Sequence, residues 1–193
     1  MIPLYAYLNR LRLIRRWGLM RNTVAENDME HSAQAAMIAH ALCVLARERY
    51  GRDVSPERAV TLALYHDAGE VITGDLPTPV KYKNPSIQSA YKGLEALACE
   101  QLLQMLPDDL RAAYRPYLAP DTALYEWRLV KAADRICAYL KCVEEENAGN
   151  REFLQAKRSI LDSIGALAMP EADDFMREAV PAFSMTLDEL SRL

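Results

Sequence analysis

Glycine, histidine and cysteine are scarce in this chain, with seven, three and four in 193 residues. So few glycines, with ten prolines spread through the sequence, exclude a collagen-like or linker-like chain. No two of the four cysteines, Cys43, Cys99, Cys137 and Cys142, have CxxC spacing, and all sit in apolar helical pattern. Buried free thiols in a reducing, cytoplasmic compartment account for them better than a disulfide framework or a thiolate zinc site. Only His31, His40 and His66 are available for a metal site built on imidazole. No apolar run is long enough to span a bilayer; the longest, residues 35–46, is interrupted by His40. No membrane partner is expected. What is abundant is apolar surface: 51% of residues are hydrophobic, too many for a disordered chain, and the length suits one domain with a proper core.

The net charge of −4 hides an asymmetry. Residues 1–21 hold five arginines and no acid, so the rest of the chain carries 18 basic against 27 acidic residues. A basic start on an acidic body suggests a local anion site rather than a nucleic-acid face. It also lacks the interleaved aromatics that a nucleic-acid polymer would stack on. A transit peptide is disfavoured, because the segment has no serine.

Periodicity is helical almost throughout. The first helix is expected over residues 4–17. The second is capped by Asn27 or Asp28 and stopped by Gly51. The third starts at Ser55-Pro56-Glu57 and ends near Asp67, where it meets Gly69. Residues 75–79 are read as a stiff loop because of Pro77 and Pro79. Further helices are expected over 86–106, 108–115, 122–147, 151–167, 171–179 and 187–193, the last behind a Thr186…Glu189 capping box. No strand pattern or repeat is present. The expected fold is all-α, a compact single-domain helical bundle over residues 1–193.

Three polar features interrupt the apolar faces. His66-Asp67 ends an apolar helix, with Glu70 three and four residues further on. Alone, such a pair reads better as a hydrogen-bonded helix end. His31 lies one turn into the second helix, with Ala35, Ile38 and Leu42 on its face, and the helix dipole there favours neutral imidazole. A core histidine and a ligand are equally good readings of it alone. His40 is half a turn round and reads as structural. Asp134 sits on a stripe with Trp127, Val130, Cys137 and Ala138, costly for a carboxylate unless it binds a metal or pairs with Arg135 or Lys141. Glu144-Glu145-Glu146 reads as a solvated face.

Taken in order, His31, His66-Asp67 and Asp134 resemble the H…HD…D pattern of the HD-domain metal-dependent phosphohydrolases. Longer blocks are more specific: Arg15-Arg16-Trp17, the run from Glu26 to Ser32, Tyr65-His66-Asp67-Ala68-Gly69-Glu70, the run from Thr73 through Gly74-Asp75-Leu76-Pro77-Thr78-Pro79 to Tyr82, and Ala138-Tyr139-Leu140-Lys141-Cys142. Together they resemble the bacterial HD-domain 5′-deoxynucleotidases of the YfbR type over nearly the whole chain. Gly69 departs from the small polar residue expected there. The resemblance implies an all-α homodimer that hydrolyses deoxyribonucleoside 5′-monophosphates.

It further implies one divalent ion held by His31, His66, Asp67 and Asp134. This mixed nitrogen and oxygen set suits Co²⁺ or Mn²⁺, or Zn²⁺ or Fe²⁺. The implied catalytic residues are Glu70, Asp75 and Arg16. Glu70 or Asp75 would handle the attacking water or the leaving-group proton, and Arg16 would hold the phosphate. The implied substrate contacts are Arg16, Trp17, His31, Asp67, Asp75, Leu76, Pro77 and Thr78, with Trp17 as a wall that a ribose 2′-hydroxyl would meet. Two alternatives stay open: another HD phosphohydrolase, acting on a nucleoside triphosphate or other phosphomonoester, and a catalytically silent nucleotide-binding module.

Overall fold

The computed structural model describes residues 1–81 and 83–192; Tyr82, the end of one of the sequence blocks, and Leu193, the end of the last expected helix, lie outside them. The chain opens with α1 (Leu4–Leu8) and continues as a 3₁₀ turn, Asn9–Leu13. The expected helix to Trp17 is therefore cut short. Ile14 is extended (ψ 117°), which lets Arg15 bridge antiparallel to Asn27. Arg16 N–H donates to the Glu26 carbonyl at 3.0 Å and Asp28 N–H to the Ile14 carbonyl at 3.1 Å. These bonds close the base of a loop over residues 17–25, and α2 (Asp28–Tyr50) leaves directly from it. Both expected ends of α2 hold. The Asn27 side chain accepts from Met29 and Glu30 N–H, and Gly51 takes the left-handed conformation (φ +62°) that ends a helix most cheaply in glycine.

The helix α3 (Pro56–Tyr65) has Ser55 as its cap and stops two residues before Asp67. Residues 66–69 then form a turn into the short α4 (Glu70–Thr73). Gly69 is not the helix breaker: its φ of −60° is ordinary for any residue, and an added Cβ would meet only ordinary contacts, the nearest being Cys99 Sγ at 3.5 Å. Its lack of a polar side chain therefore imposes nothing on the backbone.

The stiff-loop reading holds for Asp75, Leu76 and Pro77 but not for Pro79, which lies in α5 (Thr78–Lys81). Proline fits there because the first helical turn has no intrahelical partner for its N–H groups. Next come α6 (Pro85–Gln104), α7 (Asp108–Leu118) and α8 (Tyr125–Asn147). Pro116 falls inside the last turn of α7, which outlasts its expected end at Arg115 because Ala119 N–H still closes onto the Arg115 carbonyl at 2.9 Å. A 3₁₀ turn (Arg151–Phe153), α9 (Leu154–Gly165), α10 (Pro170–Glu178), a second 3₁₀ turn (Val180–Ser184) and α11 (Leu187–Leu190) complete the chain. The Thr186–Glu189 capping box is formed. No strand occurs among the described residues, so the fold is all-α.

The core is a three-helix contact of α2, α3 and α8. Alanines on α2 (Ala35, Ala39), α3 (Ala59, Ala63) and α8 (Ala132, Ala133) are fully buried and let these backbones approach, while Leu42, Leu62, Leu129 and Ile136 fill between them. A second cluster of Leu4, Ala68, Leu102, Leu103, Leu106 and Leu118 seats α1 against α6, α7 and the 66–69 turn. Cys43, Cys137 and Cys142 are buried free thiols, as expected, and Cys99 is half-buried.

The solvated-face reading of the three consecutive glutamates holds for Glu144 and Glu146, which are exposed, but not for Glu145. Glu145 is fully buried, because successive helix positions point about 100° apart and this one faces inward. It accepts from Thr23 N–H (3.0 and 2.9 Å), Val24 N–H (3.3 Å), Lys141 Nζ (2.5 Å) and Asn150 Nδ2 (2.7 Å). Burial works against the carboxylate, but Lys141 and the Thr23 N–H outweigh it and hold its pKa at about 2. Lys141 also donates to the Val24 carbonyl at 2.5 Å, so this pair pins the 17–25 loop to α8. Glu145→Ala leaves a buried ammonium and three N–H donors without their acceptor. It should cost about 3 kcal/mol in urea unfolding, whereas Lys141→Met with Glu145→Leu should cost less. A double-variant loss equal to the sum of the two single losses would show that the pair is not coupled.

Candidate functional site

The three packed helices bring four side chains to one place. His31 comes from the first turn of α2, where it is 1% exposed beside buried Ala35, Ile38 and Leu42. His66 caps α3, Asp67 follows it in the turn, and Asp134 comes from the middle of α8. One ligand atom each from His31, His66 and Asp134 lie within 4.8 Å of one another. His31 Nε2 is 3.1 Å from Asp134 Oδ1 and 3.6 Å from Asp67 Oδ2. His66 Nε2 is 3.2 Å from Asp67 Oδ2 and 3.9 Å from Asp134 Oδ1. The imidazole centroids are 5.3 Å apart. His40 is exposed on another face of α2. Neither cation expected beside Asp134 pairs with it. Lys141 is engaged by Glu145, Arg135 donates to the Ser163 carbonyl at 2.8 Å, and Lys131 Nζ lies 3.7 Å from Asp134 instead.

The donor chemistry fits a divalent cation. His66 Nδ1 lies 2.7 Å from the Ala63 carbonyl oxygen, which can only accept, so Nδ1 carries the proton. In the neutral ring Nε2 then presents a lone pair to the carboxylates, and that buried atom has no hydrogen-bond partner. Negative charge is also in excess. The carboxyl groups of Glu26, Asp28, Asp67, Glu70, Asp75 and Asp134 converge on a region whose cations include Arg16, Lys81 and Lys131.

The pKa directions express the same imbalance. Burial opposes an imidazolium at His66, but Asp67 and Asp134 overcome it and raise the group to about 9. Burial also opposes a charge on His31, yet Asp134 and Glu26 raise it, outweighing the helix dipole that favoured neutral imidazole. Asp134 is pushed up by burial and held well below the usual carboxylate range by Lys131 and the imidazoles. A bound cation would supply the positive charge these groups otherwise take as protons.

Arg16 reaches this cluster from the N-terminal segment. Its Nη1 donates to Asp67 Oδ2 at 3.3 Å and lies 3.6 Å from Asp28 Oδ1. Glu70 is 9% exposed, and its Oε2, like both carboxylate oxygens of fully buried Asp28, has no hydrogen-bond partner among the described residues. Burial, with the negative charges of Asp67, Asp28 and Asp75, drives the Glu70 carboxyl far up, so it holds its proton. Burial and Asp67 also raise Asp75, against Arg16. Asp75, Leu76 and Pro77 are half-buried and Thr78 is exposed; among the described residues no hydrogen bond or ion pair ties Thr78 to the four clustered side chains.

Trp17 is half-buried with its ring centroid 5.3 Å from that of Phe153, and its backbone has φ +57°. A bulky residue rarely adopts that conformation, at a cost of about 1–3 kcal/mol. Met20 N–H at 2.9 Å and Asn22 Nδ2 at 3.3 Å hold the Trp17 carbonyl. Sequence reasoning assigned no role to Glu26 and only a possible helix-capping role to Asp28, although both fall in a quoted block. Glu26 accepts from Trp17 Nε1 at 2.8 Å, and the only signal for that was its spacing before His31.

Residues 3–183 match the family described as 5′-deoxynucleotidase YfbR-like. The chain is 49% identical over 189 residues to a 5′-deoxynucleotidase of Erwinia tasmaniensis, covering 97% of this chain and 96% of that one. It is 47% identical over 188 residues to one of Vibrio vulnificus, covering 97% of each. An HD-domain phosphohydrolase structure from Listeria innocua aligns with TM-score 0.80 at 22% identity, covering 93% of this chain and 87% of that one. A cyanophage S-2L HD phosphohydrolase, bound to dA and one catalytic Zn²⁺, aligns with TM-score 0.63 at 20% identity, covering 91% and 95%.

Proposed function

Because the chain belongs to the YfbR-like 5′-deoxynucleotidase family, we infer that it is a phosphomonoester hydrolase cleaving deoxyribonucleoside 5′-monophosphates to deoxynucleoside and phosphate. The observation that carries a metal-dependent reaction here is the unpartnered His66 Nε2, fixed by Ala63 and aimed at Asp67. His31, His66, Asp67 and Asp134 are the proposed ligands of one divalent ion of the Co²⁺, Mn²⁺ or Zn²⁺ kind. That ion supplies Lewis-acid polarisation of the phosphate and a lowered water pKa.

The chain's own groups do the rest. Arg16, held beside Asp67, offers guanidinium N–H donors to the phosphate oxygens, where charge grows in the transition state. Glu70 holds a proton that the departing 5′-oxygen needs. His31 and Asp67, Asp75, Leu76, Pro77 and Thr78 are proposed to flank the nucleotide. The indole of Trp17, stacked on Phe153, is proposed as the wall against C2′, leaving a ribose hydroxyl clashing or unpaired. A silent binding module would have no use for the protonated Glu70.

One HD unit over residues 1–193, working as a cytoplasmic homodimer, is part of the proposal. The buried free thiols support a reducing compartment. Exposed Leu94 and Leu97, three apart on α6, support a second copy as partner. No helix among the described residues is long and apolar enough to cross a membrane.

The test strips the protein of metal, restores single divalent ions and assays phosphate release from dAMP, AMP, dATP and a cyclic dinucleotide. Release from dAMP at least about tenfold faster than from AMP, the discrimination equivalent of one well-made contact, is expected. No release from any deoxymonophosphate with any ion would sink the reading. Equal rates on dAMP and AMP would remove the role of Trp17.

A further inference from the structure

One carboxylate touches three of the groups assigned to the reaction. Glu26 is 13% exposed at its side chain and stands at the base of the 17–25 loop, where its carbonyl already holds Arg16 N–H at 3.0 Å. Its Oε2 accepts from Trp17 Nε1 at 2.8 Å and lies 3.5 Å from Arg16 Nε. Its Oε1 faces His31 Nδ1 at 3.7 Å, on the far side of the ring from Nε2 and the cluster. These contacts point three ways, toward the indole, the guanidinium and the imidazole.

We propose that Glu26 is the positioning residue of this site, aiming the Trp17 ring at the sugar and the Arg16 fork at the phosphate, and fixing His31 with Nε2 toward the metal. The proposal rests on the assigned roles of those three residues. Trp17 needs such a partner because its left-handed backbone does not by itself fix the ring. Asn22 and Met20 hold only its carbonyl, and Phe153 packs on the ring face without selecting its edge. Glu26 accepts at that edge. Toward His31 it stands as the carboxylate behind a ligating imidazole: its charge lies 3.7 Å from Nδ1, a buried atom with no hydrogen-bond partner of its own among the described residues, and favours the tautomer that carries the proton there. Glu26 touches no reacting atom.

The chain has only two tryptophans, Trp17 and Trp127, so the Trp127→Phe protein reports Trp17 alone. In that background Glu26→Ala should lower the fluorescence anisotropy of Trp17, and Glu26→Gln, whose amide oxygen still accepts from the indole, should not. Calorimetric titration of the metal-free proteins with Mn²⁺ or Co²⁺ should give about 10- to 100-fold weaker binding for Glu26→Ala. The dAMP-to-AMP ratio of kcat/KM should fall about tenfold in Glu26→Ala, the value of one lost hydrogen bond, and stay near wild type in Glu26→Gln. General destabilisation would lower both rates and leave the ratio alone. Unchanged anisotropy and metal affinity in a folded Glu26→Ala protein would overturn the proposal. A wild-type protein that releases no phosphate or does not discriminate would instead overturn the reading beneath it, while anisotropy and metal titration still measure what Glu26 holds. If Glu26→Ala does not fold, Glu26→Asp replaces it: its shorter arm cannot keep the indole and imidazole contacts together, and wild-type anisotropy with wild-type metal affinity would overturn the proposal equally.

Discussion

Asp67→Ala should abolish metal binding and lower kcat/KM on dAMP by about four orders of magnitude, a loss of ~5.5 kcal/mol of transition-state stabilisation. The size follows from what one oxygen does. Asp67 Oδ2 is 3.2 Å from His66 Nε2, 3.6 Å from His31 Nε2 and 3.3 Å from Arg16 Nη1. Its removal takes a hard anionic donor from the ligand set and frees the guanidinium from its partner, so charge and orientation fail together. Asp134→Ala should approach this effect, since Asp134 Oδ1 faces both imidazoles. Metal content by atomic spectrometry, phosphate release and far-ultraviolet dichroism on the same sample check the result. A folded Asp67→Ala protein that keeps stoichiometric metal and more than about a hundredth of the rate would remove Asp67 from the ligand set, since loss of a ligand should cost far more.

Two of the candidate ligands were legible as polar side chains where helical periodicity demands an apolar one, and His66-Asp67, at a helix end, only through the family resemblance. His31 lies on the Ala35, Ile38 and Leu42 face, and Asp134 on the Val130 and Cys137 face. Periodicity reports which face is buried, and three buried faces on α2, α3 and α8 meet in one core. The ends of α2 were legible too, because Asn27 and Gly51 act through local backbone chemistry.

What stayed hidden depends on contacts between distant parts of the chain. Glu145 looks like one of three surface acids until residues 23, 24 and 150 are brought to it. Glu26 reads as a residue before a cap until the Arg15–Asn27 bridge folds Trp17 back over it. The first helix was overextended for the same reason: its apolar spacing continues, but Ile14–Arg16 are needed in pairing with Glu26–Asp28. Pro79 misled through a rule about helix interiors when it sits in a first turn.

Glu70→Gln should keep the metal and lower kcat by about 10²- to 10⁴-fold, the range of a lost general acid or base. Among the described residues no side-chain hydrogen bond or ion pair ties Glu70 to His31, His66, Asp67 or Asp134, so metal content is expected to survive. Its carboxyl is protonated because burial and three surrounding carboxylates make its ionisation costly. A group in that state donates: it can hand its proton to the 5′-oxygen as the phosphate leaves, whereas an amide can hold the position but not release the proton. The sign of the pH dependence follows. Activity requires the protonated form and should fall on the alkaline side, as Glu70 ionises. Asp28→Asn removes one of the charges that raise Glu70, so it should move that alkaline limb to lower pH without moving the metal titration. If Glu70→Gln keeps the wild-type rate, the task passes to Asp75, whose carboxyl is also raised by burial and Asp67. Asp75→Asn should then take the loss.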